Sequence, residues 1–191
     1  GGARLKKGVS EYYDRIVQLG YDMAAAGYIG KTGIANVGAM EAFLEGMKNY
    51  DTNHPTEGTA ITLPFETAIT KYVDKATQHK FFSIRKFGLF IYTQNVIATP
   101  GGFGTFDEIF ETLVRRLPLV LYTKYWSFFR DRVIPVLRSR GLWDETLEVP
   151  PVMENHEDIM KYFERKVAEG QTEVVRANPK KIYAMVNEFD S

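Results

Sequence analysis

Between Asn95 and Leu117 the chain passes from a short apolar run, Asn95-Val96-Ile97-Ala98-Thr99, through Pro100-Gly101-Gly102-Phe103-Gly104-Thr105, into a spaced apolar set: Phe106, Ile109, Phe110, Leu113, Val114 and Leu117. The last six follow the i, i+3, i+4, i+7, i+8, i+11 pattern of an amphipathic helix, and Pro118 stops it. A short buried strand running through a glycine turn into a helix is the first half of a strand-helix-strand crossover. Such crossovers join parallel strands, they are right-handed, and a parallel sheet needs helices on both faces. This unit therefore narrows the fold more than any other stretch.

The rest of the sequence extends the alternation. Tyr13, Ile16, Val17, Gly20, Met23 and Ala24 mark a helix from Ser10 to Gly27. Tyr28 to Thr32 follows as a short strand, although Gly30 and Lys31 suit a buried strand poorly. The loop Gly33 to Gly38 leads into a helix to about Lys48, a strand spans Thr59 to Leu63 before Pro64, and a long helical region is predicted from Thr70 to Phe90. Beyond the central unit come a strand at Leu119 to Tyr122, a helix at Trp126 to Arg138, the Pro150-Pro151 loop, and helices at Glu157 to Glu169 and Pro179 to Phe189. The reading is an α/β fold in a single domain over residues 1–191, with a C-terminal helical extension from about residue 150. Ligands of such sheets bind where strand carboxyl ends meet loops that open helices.

Composition removes several function classes. With 24 Lys+Arg against 24 Asp+Glu, the chain lacks the basic excess that nucleic-acid wrapping or an anionic membrane surface requires. It has no cysteine, hence no disulfide, thiolate nucleophile or Cys-type zinc site, and His54, His79 and His156 are too scattered to suggest a metal cluster. No apolar run reaches the roughly 18–20 residues of a membrane span, and the charged start lacks the apolar core of a signal peptide. These features suggest a soluble, cytoplasmic protein.

Gly101, Gly102 and Gly104 allow close backbone approach to a ligand, and a helix opening at about Thr105 turns N–H groups and a positive dipole end toward it. The group this suits best is a phosphate, with the Thr105 hydroxyl as cap or ligand. Glu108, off the apolar stripe and read as lying in the first helical turn, either complements the dipole or meets a ligand hydroxyl or developing positive charge. The loop is neither a P-loop, since no Gly-Lys-Ser/Thr follows, nor a Gly-x-Gly-x-x-Gly dinucleotide fingerprint.

Pro100-Gly101-Gly102-Phe103-Gly104-Thr105-Phe106-Asp107-Glu108 resembles the Pro-Gly-Gly-x-Gly-Thr-x-x-Glu signature of the LOG family, cytokinin riboside 5′-monophosphate phosphoribohydrolases formerly labelled lysine decarboxylases. Phe82-Ser83-Ile84-Arg85-Lys86 is similar to the family's Arg-Lys motif. Leu63-Pro64-Phe65-Glu66, Gly38-Ala39-Met40-Glu41-Ala42 and Gly2-Ala3-Arg4 resemble further family segments in the right order. The resemblance covers about residues 1 to 140. It implies a Rossmann-like, doubly wound sheet and metal-free, cofactor-free hydrolysis of the N-glycosidic bond of a nucleoside 5′-monophosphate, AMP or an N6-modified AMP. It also implies a homodimer or larger homo-oligomer.

Carried over by position, Arg85 and Glu108 form the catalytic pair, Gly101, Gly102, Gly104 and Thr105 hold the 5′-phosphate, and Lys86, Glu66, Met40, Gly38 and Gly2 line the substrate. Asp107, Glu66 and Asp74 are candidates to protonate the leaving base. A non-catalytic nucleotide-binding or molybdenum-cofactor carrier protein with the same loop is the alternative.

Several positions depart from the family or stay outside its chemistry. By the resemblance, a first central strand is already complete where this sequence starts at Gly1-Gly2-Ala3-Arg4, so the expectation is either that the protein continues upstream or that another chain covers the sheet, and Thr32 to Gly38 replaces the family's usual three-glycine loop. Arg115-Arg116 stands where many relatives carry Gln-Leu, which bears on oligomer contacts or base selectivity. His79, placed on the helix that carries Arg85, reads mainly as a packing residue. Trp126 and Trp143 read as core, and Lys124 beside Tyr125 does not suggest a Schiff base.

Overall fold

The computed structural model describes residues 2–61 and 68–170. The described residues form two compact units, one of Gly2 with residues 94–170 and one within Ala3–Thr93. Each contains a three-stranded, all-parallel sheet flanked by helices, the α/β class read from the alternation.

In the Ala3–Thr93 unit, α1 (Glu11–Ala25) is capped by Ser10, whose Oγ accepts from the Tyr12 N–H. Its apolar side, Tyr13, Ile16, Leu19, Met23 and Ala24, is buried. It packs on α2 (Gly38–Tyr50) at two glycines, where a side chain on Gly20 would overlap the Phe43 carbonyl and one on Gly46 the Val17 carbonyl. Strands β1 (Gly30–Thr32), β2 (Thr56–Ile61) and β3 (Lys75–His79) lie in the order β1-β2-β3. Gly30, unpromising as a strand residue, is required because Met47 and Phe43 occupy the space of its missing side chain. Lys31 fits because its Nζ donates to the Ile91 carbonyl at 3.0 Å. Burial holds this amine below the usual lysine value, opposed by neighbouring Glu57.

The long helix expected from Thr70 to Phe90 does not form. Its first half contains β3, and only Phe82–Phe90 is helical (α3). Among the described residues β3 is an edge strand, and Lys75, Ala76 and Gln78 are exposed, so it carries no apolar alternation to betray it. His79 accordingly ends a strand; it is buried near Gly88 of α3 as a packing residue.

The second unit pairs β4 (Val96–Ala98), β5 (Leu119–Tyr122) and β6 (Val152–Met153) in that order. Its core gathers Ala98, Ile109, Leu113, Leu119, Leu121, Trp126, Phe129, Ile134 and Trp143, so both tryptophans are core residues. α4 (Phe103–Val114) connects β4 to β5. It stops before Leu117 because Arg116 adopts φ 56°, while the Arg116 N–H bonds the Leu113 carbonyl and the Leu117 N–H the Thr112 carbonyl. Those paired bonds close a helix by a Schellman turn, whose left-handed residue is more often glycine.

The predicted helix after β5 is broken into a 3-10 turn (Lys124–Trp126), a π turn (Phe129–Val133) and α5 (Ile134–Ser139). β6, the two residues directly after Pro150-Pro151, was not expected from the sequence. α6 (His156–Ala168) starts at Asn155, whose Oδ1 accepts from the Asp158 N–H. The helix read at Pro179 to Phe189 and the end of the strand at Thr62-Leu63 lie outside the described residues. Among those described, no helix is long and apolar enough to cross a membrane.

Candidate functional site

The loop after β4 is built around the glycines. Gly101 is a packing necessity: a methyl there would overlap Thr105 Oγ1 and lie 2.8 Å from Thr105 Cβ and 3.0 Å from the Gly2 nitrogen. Thr105 is only 4% exposed, so it cannot give way. Gly2 is equally constrained, since a methyl would sit 2.7 Å from the Pro100 oxygen, which accepts the Gly2 N–H at 2.9 Å. Gly102 and Gly104 differ in kind, because their missing side chains would meet no atom within 4 Å. The loop is thus tight at its base and open at its mouth.

The helix opens two residues earlier than expected, at Phe103, with Gly102 as its N-cap. The Gly102 carbonyl accepts from the N–H groups of Thr105 (2.9 Å) and Phe106 (3.1 Å). Thr105 is therefore a buried packing partner of Gly101 rather than the cap. Glu108 moves into the second turn, about 7.5 Å along the axis from the start of the helix at 1.5 Å per residue. Dipole effects fade within the first turn, so the dipole-complement reading of this half-buried carboxylate loses its basis.

Tyr125, passed over by the sequence reading, touches this loop: its hydroxyl donates to the Gly101 carbonyl at 2.7 Å. Trp126 Nε1 donates to the Ala98 carbonyl at 2.8 Å. Both follow β5, neighbour of β4, so an aromatic pair just past a strand's carboxyl end was the available signal. Arg115 pairs with Glu111 at 2.6 Å and Arg116 with Asp144 at 2.5 Å, at the far end of α4 from the glycine loop.

The other unit holds a second group of the expected residues. A methyl on Gly33, just past β1, would lie 2.5 Å from Arg85 Nη2 and 2.7 Å from Met40 Sδ. Gly33, Met40 and the Arg85 guanidinium therefore meet at the carboxyl end of β1. Gly33 was a missed contributor, legible only as a glycine placed where a strand ends. Gly38 opens α2 with φ 64°, and Lys86 is half-buried on α3 beside Arg85.

The loop replacing the three glycines is firmly seated. Ile34, at φ 51° and fully buried, occupies the space over Gly58 in β2, and its carbonyl accepts the Thr70 N–H at 3.1 Å. The Asn36 N–H donates to the Ala68 carbonyl at 3.1 Å.

Burial and neighbouring Glu45 push the Glu41 carboxyl above its ordinary value. Asp74 is no proton donor. Its carboxylate accepts from Lys48 Nζ at 2.6 Å and from the Thr56 N–H and hydroxyl at 3.0 Å, and the Lys48 bond foremost holds it below the usual aspartate range. Asp107 is exposed on α4, and Glu66 lies outside the described residues. Among the described residues no three His, Asp or Glu side chains group to hold a metal ion.

No curated protein matches the sequence. Among solved structures, the fold is similar to the molybdenum cofactor binding protein of the phototrophic bacterium Rippkaea orientalis: 20% identity, TM-score 0.66, covering 87% of this chain and 93% of that one. It is similar to the Moco carrier protein of Chlamydomonas reinhardtii, at 20% identity and TM-score 0.63 over 88% and 93% of the two chains. A structural-genomics target matches at 25% identity and TM-score 0.66, over 84% and 91%. The family model described as possible lysine decarboxylase matches residues 40–163, well over half of the sequence, and the chain belongs to that family, the LOG family of the glycine-loop motif.

Proposed function

We propose that the chain hydrolyses the N-glycosidic bond of a nucleoside 5′-monophosphate, AMP or an N6-modified AMP, to the free base and ribose 5-phosphate. The supporting observation is the loop of residues 101–105, locked below by Gly101 against Thr105 and open above at Gly102 and Gly104. Backbone N–H groups at a helix start, with room for a ligand against them, suit a dianionic phosphate. Family membership supports a nucleotide-related role.

In the proposed reaction the C1′–N bond breaks with its electron pair leaving on the base nitrogen, which takes up a proton. Water bonds to C1′ and releases one. Positive charge builds on the ribose in between, and the Glu108 carboxylate stabilises it while orienting water or ribose hydroxyls. Arg85 contributes a guanidinium fork with fixed donors, seated by Gly33 and Met40, and Lys86 adds a second positive charge. We also propose that the protein works as a homodimer or larger homo-oligomer, which sedimentation tests.

A second reading, a nucleotide or cofactor carrier without turnover, draws on the similarity in fold to a molybdenum cofactor binding protein and a Moco carrier protein and on the filled loop at Ile34. Incubation with AMP and with isopentenyladenosine monophosphate, followed by chromatography for free base, separates the two. Release of base supports the hydrolase. Tight binding of monophosphates with no base from any of them supports the carrier and overturns the hydrolase.

A further inference from the structure

Three consecutive peptide units lead from β4 into α4, and each has its carbonyl engaged. The Pro100 carbonyl accepts the Gly2 N–H at 2.9 Å. The Gly102 carbonyl accepts the Thr105 and Phe106 N–H groups, as the first turn of α4 requires. Between them, the Gly101 carbonyl accepts the Tyr125 hydroxyl at 2.7 Å. In a trans peptide the C=O and N–H point in opposite directions, and among the described residues no peptide is cis. Holding Gly101 O toward Tyr125 therefore turns the Gly102 N–H away from it.

That middle peptide is the one most in need of a hold. It joins two glycines, whose permissive backbones allow a peptide to flip, and nothing lies within 4 Å of where a Gly102 side chain would be. A flipped unit would replace a donor with a carbonyl oxygen, which repels an anion.

The placement of Tyr125 is maintained against strain. Thr123 has φ 74° and ψ 164°, a region that is essentially glycine's, yet it is β-branched and 1% exposed. It is held there by its N–H to the Met153 carbonyl at 2.9 Å, by the Trp126 N–H on its own carbonyl at 3.2 Å, and by the Lys124 N–H on Glu154 Oε1 at 3.0 Å. This turn launches Tyr125 and Trp126 toward the loop. Tyr125 is 45% exposed and its ring stands edge-on to Trp126 at 4.9 Å, so ring packing alone does not call for a hydroxyl.

We infer that Tyr125 is a positioning residue of the anion loop: its hydroxyl fixes the Gly101–Gly102 peptide so that the Gly102 N–H faces a ligand phosphate. The inference rests on the phosphate reading of the loop proposed above.

The test compares the full-length protein with Tyr125→Phe by calorimetric titration with AMP and with adenosine, together with a thermal melt. The variant is expected to bind AMP about two- to tenfold more weakly, the range of one lost hydrogen bond, with adenosine affinity and melting temperature unchanged. Unchanged AMP affinity overturns the inference. So does an equal loss for adenosine, which would make the tyrosine a structural prop with no selectivity for phosphate. If the unaltered protein binds AMP no better than adenosine, the phosphate reading itself fails, a result told apart from the others by the parent protein alone.

Discussion

Gly104→Ala separates the needs of the fold from those of the ligand. Gly104 is the second residue of α4, it is exposed, and no atom lies within 4 Å of where its methyl would stand. Alanine exceeds glycine in a helix interior by up to about 1 kcal/mol, and part of that gain applies in a first turn. For a chain of this length 1 kcal/mol moves the melting temperature by about 2–4 °C, so the variant should melt slightly higher than the parent. The same methyl occupies the mouth of the loop, where overpacking against a bound phosphate costs about 1–3 kcal/mol. That corresponds to AMP affinity weakened roughly five- to 150-fold. Gly101→Ala is the control: its methyl would lie 2.8 Å from Thr105 Cβ, so it should melt lower with or without ligand. Differential scanning calorimetry with AMP titration reads both quantities. A Gly104→Ala protein that melts lower, or that binds AMP as the parent does, would refute the division of the loop into a tight base and an open mouth.

Glu108→Gln should abolish base release while leaving AMP binding largely intact; undiminished turnover would remove the carboxylate from the mechanism. Gly33→Ala presses on the movable end of Arg85, 2.5 Å away, so it should reduce turnover by at least tenfold with little change in the thermal melt, and a large loss of stability would contradict this. Asp74 titrates below the usual 3.8 because of Lys48 and Thr56, so its stabilisation is complete above that value and is lost as pH falls through the lower folded-state one. Asp74→Asn should therefore melt lower than the parent at pH 7, with the gap closing as the pH is lowered below about 4; a gap constant with pH would disprove the pairing.

The central unit was legible because local signals agreed: an apolar strand, a glycine turn and a helical stripe are all contiguous. Even there the stripe misled at its edges. Ile109 and Leu113 are buried, whereas Val114 is 79% exposed and Leu117 lies past a helix end set by a left-handed arginine. Arg116 gives no hint of that conformation, because the turn is held by backbone bonds and by a partner at Asp144, 28 residues away. Thr70 to Phe90 failed for the opposite reason, since residues such as Lys75 and Gln78 owe their strand to pairing with β2. The motif pointed to candidate site residues by position, but not to the residues that hold them in place. Tyr125, Gly33 and the seat of Ile34 on Gly58 depend on which strand ends lie side by side, which spacing along one chain does not encode.

The hydrophilic character of β3 has an effect beyond having hidden the strand from view. A sheet border invites further strands, from the same chain or from other molecules, and a border written in Lys75, Thr77 and Gln78 offers them little apolar surface to bury. The cost of strand addition there is the dehydration of charged and amide groups, so crowding alone gives no incentive to stack. A substitution of Lys75 and Gln78 by valine would leave the pairing with β2 intact and turn a quiet margin into a nucleus for aggregation.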